Sequence, residues 1–367
     1  MNIKETLEKL VLVNDCYIRN NNPEEMNSGW DVATYFMGCM EAYKLTGKKE
    51  YIDTVIRWCE NNEWKERRHA ADYAEKILIN HFVVEGKCGW QAENAEDYIY
   101  YHADNVTCGR TYLEVMEMFP GTGTFDNIQK ILDFNVNSPY LDYWWWVDTI
   151  HMALALYHKV SLMKGDDKYA KKAHALYLDQ KDRRGYYDKE DHLWYRDMKY
   201  TYDIMKSRNH KKVFWSRGNG WVYAGLIQTM EVIGKDSPYY AEYEKVFLDM
   251  TEAIIKARPA DGIWRSNLAD PEDYPSPEMS GTLLFLNSII KAVNLGVLDE
   301  SYVEIFKESF DAATKLAVFE DGFLGWVQGV EQKPGSVYAD TTHTYAVGYY
   351  ILTCCEWIKY CRKKGIE

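Results

Sequence analysis

The sequence predicts an all-α fold, an (α/α)6 barrel of six helical hairpins with short β-hairpins or loops at one rim. Three observations carry this. Apolar residues recur at three- and four-residue spacing over most of the 367 residues. Helix ends repeat one kind of punctuation, and strand-like runs are few and confined to the second half. The chain is read as one domain, 1–367.

In order, the periodicity places helices over about 3–18, 29–46, 49–62, 69–83, 104–118, 124–136, 147–164, 167–182, 219–234, 238–257, 279–294, 300–316 and 342–362. The junctions "YKLTGKKEYIDTVIRW", "SLMKGDDKYAKKAHAL" and "EVIGKDSPYYAEYEKV" are alike. Each stops a helix at Gly, passes a polar turn, and opens the next helix with a Tyr near its first turn. A repeated hairpin without a fixed period fits a closed ring of hairpins rather than a solenoid. Strand-like interruptions at 191–197, 212–217, 261–268 and 321–329 are short, aromatic and bounded by Gly or Asp. They are placed at one rim, where a rigid scaffold presents its functional loops.

Composition narrows the partners. A net charge of −13 without a basic cluster argues against nucleic acid. Thirteen Trp and 30 Tyr suit a protein that handles sugars. The eight cysteines form no CxxC pair, the N-terminus has no signal-peptide pattern, and no apolar run approaches a membrane span. The expectation is a cytoplasmic protein with buried free thiols, monomeric or homodimeric. The nine histidines show no HExxH spacing, Ser216 lies in no GxSxG elbow, and "GNG" lacks the lysine of a phosphate loop.

Two stretches remain. In "YWWWVDTIHMALALYHKV" three tryptophans run into Asp148, with Met152 one helical turn on and His151 beside that face. An Asp at a helix start is ordinarily a cap. The indole wall, Trp146 included, would instead desolvate the carboxyl, raise its pKa and make it a general acid. Asp104, in "YHADNVTCGRTYLEV", also stands before an apolar helix, and two carboxyls are what glycoside chemistry uses. In "KKVFWSRGNGWVYAGL", Arg217 between Trp215 and Trp221 is read as a fork offered to a carboxylate, with Gly218 and Gly220 as backbone at the rim that passes close to something or turns with positive φ, and Asn219 tolerating the same geometry. Arg196 is a second anion receptor. Glu278 is read as a first-turn acid.

Together "WSRGNGW", "WWWVD", "YHADN", "PEMSGT", "DGIW" and "DGFLGWVQG" resemble glycoside hydrolase family 105, the unsaturated rhamnogalacturonyl hydrolases, and more distantly family 88. The likeness runs from about Trp30 to Trp357. It implies the (α/α)6 barrel, no metal or organic cofactor, and release of a 4,5-unsaturated uronic acid from lyase-generated oligosaccharides of pectin or related polysaccharides. The route it implies is hydration of the enol-ether double bond. Asp148 matches the aspartate that protonates C4 and assists water, and Asp104 the second acid. Arg217 and Trp221 match carboxylate-binding and stacking residues, Met152 and Trp146 line the wall, and Trp30 lies near the mouth. Arg196 departs from the pattern, standing where known members have His, and leaves the aglycone sugar open. An ordinary glycosidase, a sugar epimerase or a noncatalytic carbohydrate-binding protein on the same barrel are the other readings.

Overall fold

The computed structural model describes residues 1–67 and 100–366. The helix expected over 69–83, with Cys88, lies outside them. The described helices alternate between an inner and an outer ring. The inner ring comprises α2 (Trp30–Thr46), α4 (Cys108–Met118), α6 (Ala155–Lys164), α8 (Ser216–Ile233), α10 (Met279–Leu295) and α12 (Thr344–Lys364). The outer ring comprises α1 (Ile3–Asn20), α3 (Lys49–Asn61), α5 (Asp126–Asn137), α7 (Lys168–Leu178), α9 (Tyr240–Lys256) and α11 (Tyr302–Ala317). Along the inner ring α4 packs on α2, α2 on α12, α12 on α10, α10 on α8 and α8 on α6. This is the expected (α/α)6 architecture.

The sequence separates the rings. Outer α3 buries one stripe, Tyr51, Ile52, Thr54, Val55, Trp58 and Cys59, and is polar elsewhere. Inner α8, α10 and α12 are buried on all sides over most of their length. Helices surrounded by helices need small residues where their backbones cross. Gly38 of α2 and Gly348 of α12 meet at one crossing, where a Cβ on Gly348 would stand 2.5 Å from the Thr34 carbonyl oxygen and 2.7 Å from Tyr35 Cα. Backbone atoms cannot rotate away. Gly348→Ala is therefore expected to lose about 1–3 kcal/mol through overpacking, although alanine favours a helix by about 1 kcal/mol. A urea melt checks this.

The strand expectations shrink in the structure. One antiparallel pair forms, β1 (Tyr187–Asp188) with β2 (Leu193–Trp194), and isolated bridges join Trp215 to Asn267 and Val318 to Leu324. The reason is that side-chain amides take over ladder bonds. Asn219 Oδ1 accepts from Trp194 N at 2.8 Å and Asn219 Nδ2 donates to Trp194 O at 3.0 Å, while Asn267 Oδ1 accepts from Phe214 N at 3.1 Å. Among the described residues no helix is long and apolar enough to cross a membrane.

Candidate active site

The inner helices run in one direction, so their N-termini meet at one end of the barrel. Trp30 opens α2, Asp104 lies in a 3-10 turn (Ala103–Asn105) before α4, and Asp148 immediately precedes a π-helical turn (Ile150–Leu154) that leads into α6. Arg217 is the second residue of α8, and Glu278 and His343 cap α10 and α12. Six helix N-termini give this end a positive backbone field in a protein of net charge −13.

Asp148 is not a cap. Its backbone carbonyl accepts from His151 N at 3.1 Å and Met152 N at 3.2 Å, but its side-chain Oδ1 is buried without a hydrogen bond. Burial pushes the carboxyl up to about 6, against the pull of Arg196 and Arg217. Asp104 is pushed up to about 7, first by burial and then by Asp31, with Arg67 and Arg196 opposing. His102 Nδ1 lies 3.4 Å from Asp104 Oδ2, and burial holds its imidazole neutral, its pKa lowered to about 3. Two buried carboxyls are thus both raised towards neutral pH, an arrangement that can donate a proton and recover one.

Arg196 supplies the adjacent cation. It pairs with Asp197 and lies 5.1 Å over the Trp145 ring, but its Nε is buried with no hydrogen bond. Burial works against its charge, and Asp197 and Asp148 outweigh that, so the guanidinium stays protonated. Its placement is built in. Arg196 O accepts from Val147 N at 3.0 Å, and Asn219 clamps the neighbouring Trp194.

Arg217 corrects the sequence reading. Instead of being offered outward, its guanidinium is 1% exposed and donates to Gln328 O at 2.8 Å, Gly329 O at 2.9 Å, Glu331 O at 3.3 Å and the Tyr345 hydroxyl. It stacks 4.3 Å over Trp215, whose own Nε1 is spent on Gln328 Oε1 at 2.8 Å. Trp215 and Arg217 together clamp the 328–331 segment. Gly218, Asn219 and Gly220 form no turn; they are helical from Ser216 onward. A Cβ at Gly220 would meet Leu284 at 2.7 Å, so α10 demands the glycine. Glu278 accepts from Ser280 N at 2.7 Å and Gly281 N at 2.8 Å, which makes it a cap.

The aromatic residues divide as well. Trp30 and Trp221 meet edge to face at 5.7 Å, and Trp30 stacks on Tyr345 at 5.4 Å. Trp221 is 1% exposed, and its Nε1 has no hydrogen bond. Trp146 packs 4.9 Å from His102, beside the carboxyls, and Met152 is buried in the π-helical turn. Among the described residues one carboxylate trio has metal-ligand spacing, Asp188, Glu190 and Asp191, and Lys212 lies against all three at 2.8, 3.2 and 2.7 Å.

The profile of Glycosyl Hydrolase Family 88 matches residues 3–361. The chain belongs to that family. The sequence reading held family 88 as the more distant relative of family 105. This family 88 chain is 29% identical over 338 residues to an unsaturated 3S-rhamnoglycuronyl hydrolase of Formosa agariphila, 90% of the chain and 84% of that protein. Among solved structures it resembles a family 88 glycosyl hydrolase from Bacteroides vulgatus, at 29% identity, TM-score 0.86, and coverage of 98% and 100%. It also resembles a protein described as a polysaccharide lyase, at 30% identity, TM-score 0.86, and coverage of 98% of both chains.

Several residues around the family 88 site escaped the sequence reading. His102, Tyr345 and Asp197 touch Asp104, Arg217 and Arg196 respectively. His102 and Asp197 sit within two residues of named candidates, so the motifs "YHAD" and "YRD" held that signal. Tyr345 lies 128 residues from its partner and gives none.

Proposed function

We propose that the protein is a hydrolase of 4,5-unsaturated uronyl oligosaccharides, with 1–367 as one catalytic domain working in the cytoplasm. The observation that carries the reading is the buried pair Asp148 and Asp104, both raised towards neutral pH, beside a buried guanidinium with an unused donor. Arg196 takes the uronate carboxylate, Trp221 Nε1 reaches a ring oxygen, and Trp30, Trp146 and Met152 wall the sugar. Protonated Asp148 adds its proton to C4, which leaves positive charge at C5 shared with the ring oxygen. Water adds at C5 and returns a proton to the carboxylate pair. The resulting hemiketal opens, and the aglycone leaves with its glycosidic oxygen. Arg217 acts at one remove, by fixing the wall formed by 328–331.

The Formosa relative's name places rhamnose beside the uronate, which supports a rhamnose-containing aglycone here. The seven cysteines among the described residues, all unpaired and buried, support a reducing compartment. The lyase-named structure favours one second reading, elimination at a saturated uronate. That reaction needs the same guanidinium on the carboxylate and uses a carboxylate to remove the C5 proton. One assay separates the two, because the conjugated C4=C5 bond absorbs in the near ultraviolet. With unsaturated rhamno-uronyl disaccharides the absorbance is expected to fall. A rise on saturated uronyl glycosides, with no loss on unsaturated ones, would make the protein a lyase.

A further inference from the structure

We propose that the opposite end of the barrel holds a second site, for a small sugar acid seated with its carboxylate on Arg110. A cavity of about 360 Å³ lies there, lined from all six inner helices. None of the residues placed above around Asp148 lines it. The volume falls within the range of small-molecule sites.

Most charge on its wall is already paired. Lys44 holds Glu41 and Glu114, Lys159 holds Glu117 at 2.7 Å, and Lys291 bridges Glu231 at 2.8 Å and Glu356 at 3.3 Å. Arg110 differs. Its guanidinium makes one hydrogen bond, to Gln228 Oε1 at 2.5 Å, and among the described residues no carboxylate lies within ion-pair distance. Burial lowers its pKa, as it does for a cation whose countercharge is distant. Gln228 cannot swing away, because its Nε2 donates to the Tyr349 hydroxyl at 3.0 Å, which itself meets His151 Nε2 at 2.7 Å. Arg110 is therefore held in place with most of its fork unspent.

Asn287 is the second, independent observation. It lines the same cavity, is 1% exposed, and its Nδ2 donates to nothing. A buried amide donor without an acceptor is destabilising, and a ligand oxygen would relieve it. A carboxylate matches the planar fork of Arg110. Hydroxyl groups match the rest of the wall, since they can donate to its glutamates and accept from its lysines. An inorganic phosphate or sulfate offers the glutamates nothing and is repelled by them. The apolar faces of Leu113, Leu156 and Leu352 suit ring carbons.

Equilibrium binding of free glucuronate tests this site whatever the outcome at the other end. In Arg196→Met, which disables carboxylate capture beside Asp148, one glucuronate per chain is expected to remain bound. Adding Asn287→Leu, an apolar replacement of similar size, is expected to weaken that binding tenfold or more; adding Arg110→Gln is expected to abolish it. Glucose, lacking the carboxylate, is expected not to bind. Asn287→Leu alone is expected to leave turnover of unsaturated disaccharides unchanged, which separates this site from the catalytic reading. Absence of glucuronate binding in Arg196→Met, binding indifferent to Asn287→Leu, or phosphate binding as tightly as glucuronate would overturn the proposal.

Discussion

Asp148→Asn is expected to lower kcat on unsaturated uronyl disaccharides by about 10²–10⁴-fold, the range that a positioned acid–base group supplies. The fold is expected to survive, because Oδ1 makes no hydrogen bond in the native protein. In the wild type, kcat/KM is expected to fall as pH rises through about 6 to 7, where the pair loses its protons. Stability follows the same sign. A carboxyl whose folded pKa lies above its unfolded value contributes most below the unfolded pKa, near 4, and loses that contribution as pH rises through the folded pKa. Asp148→Asn is therefore expected to melt higher than the wild type at pH 8 and to approach it at pH 4. A variant that turns over at the wild-type rate would remove Asp148 from the chemistry.

The two arginines are expected to separate by their effect on KM. Arg217→Met removes four hydrogen bonds, to the Gln328, Gly329 and Glu331 carbonyls and to the Tyr345 hydroxyl, and leaves the Gln328 carbonyl with its bond from that hydroxyl. At about 0.5–1.5 kcal/mol for each hydrogen bond lost, a loss of at least about 2 kcal/mol is expected in a denaturant melt. Arg196→Met removes a charge-assisted contact to substrate. KM is expected to rise roughly 10–100-fold, matching about 1.5–3 kcal/mol, together with a lower melt, because buried Asp197 loses its cation. The reverse pattern, a KM effect at Arg217 and a stability effect alone at Arg196, would return the anion-receptor role to Arg217.

What the sequence made legible follows from the range of the interactions. Glycine stops and helical spacing are local, so the helices appear close to their expected bounds. The burial of Asp148 was legible because a run of three tryptophans ends two residues before it. Arg217 was misread because what it binds lies more than a hundred residues away, and an arginine between tryptophans looks the same whether it faces a ligand or a loop. Of the two readings of Gly218 and Gly220, the positive-φ turn fails and the close approach holds at Gly220. Low helix propensity suggested a turn, whereas Leu284 of a neighbouring helix sets the requirement at Gly220. Arg196 was read as a second anion receptor and also as a departure from the pattern of related chains.

The hydrogen bond from Val147 N to Arg196 O joins the residue before the acid to the backbone of the cation, and Asn219 fastens Trp194, two residues before Arg196, to α8. Acid and cation therefore ride on one piece of hydrogen-bonded backbone drawn from three distant parts of the chain. Trp30 packs on Trp221, two residues from Asn219 on the same helix, so the aromatic wall is referenced to that backbone too, and a change in any one of the three segments would displace carboxyl, guanidinium and wall together.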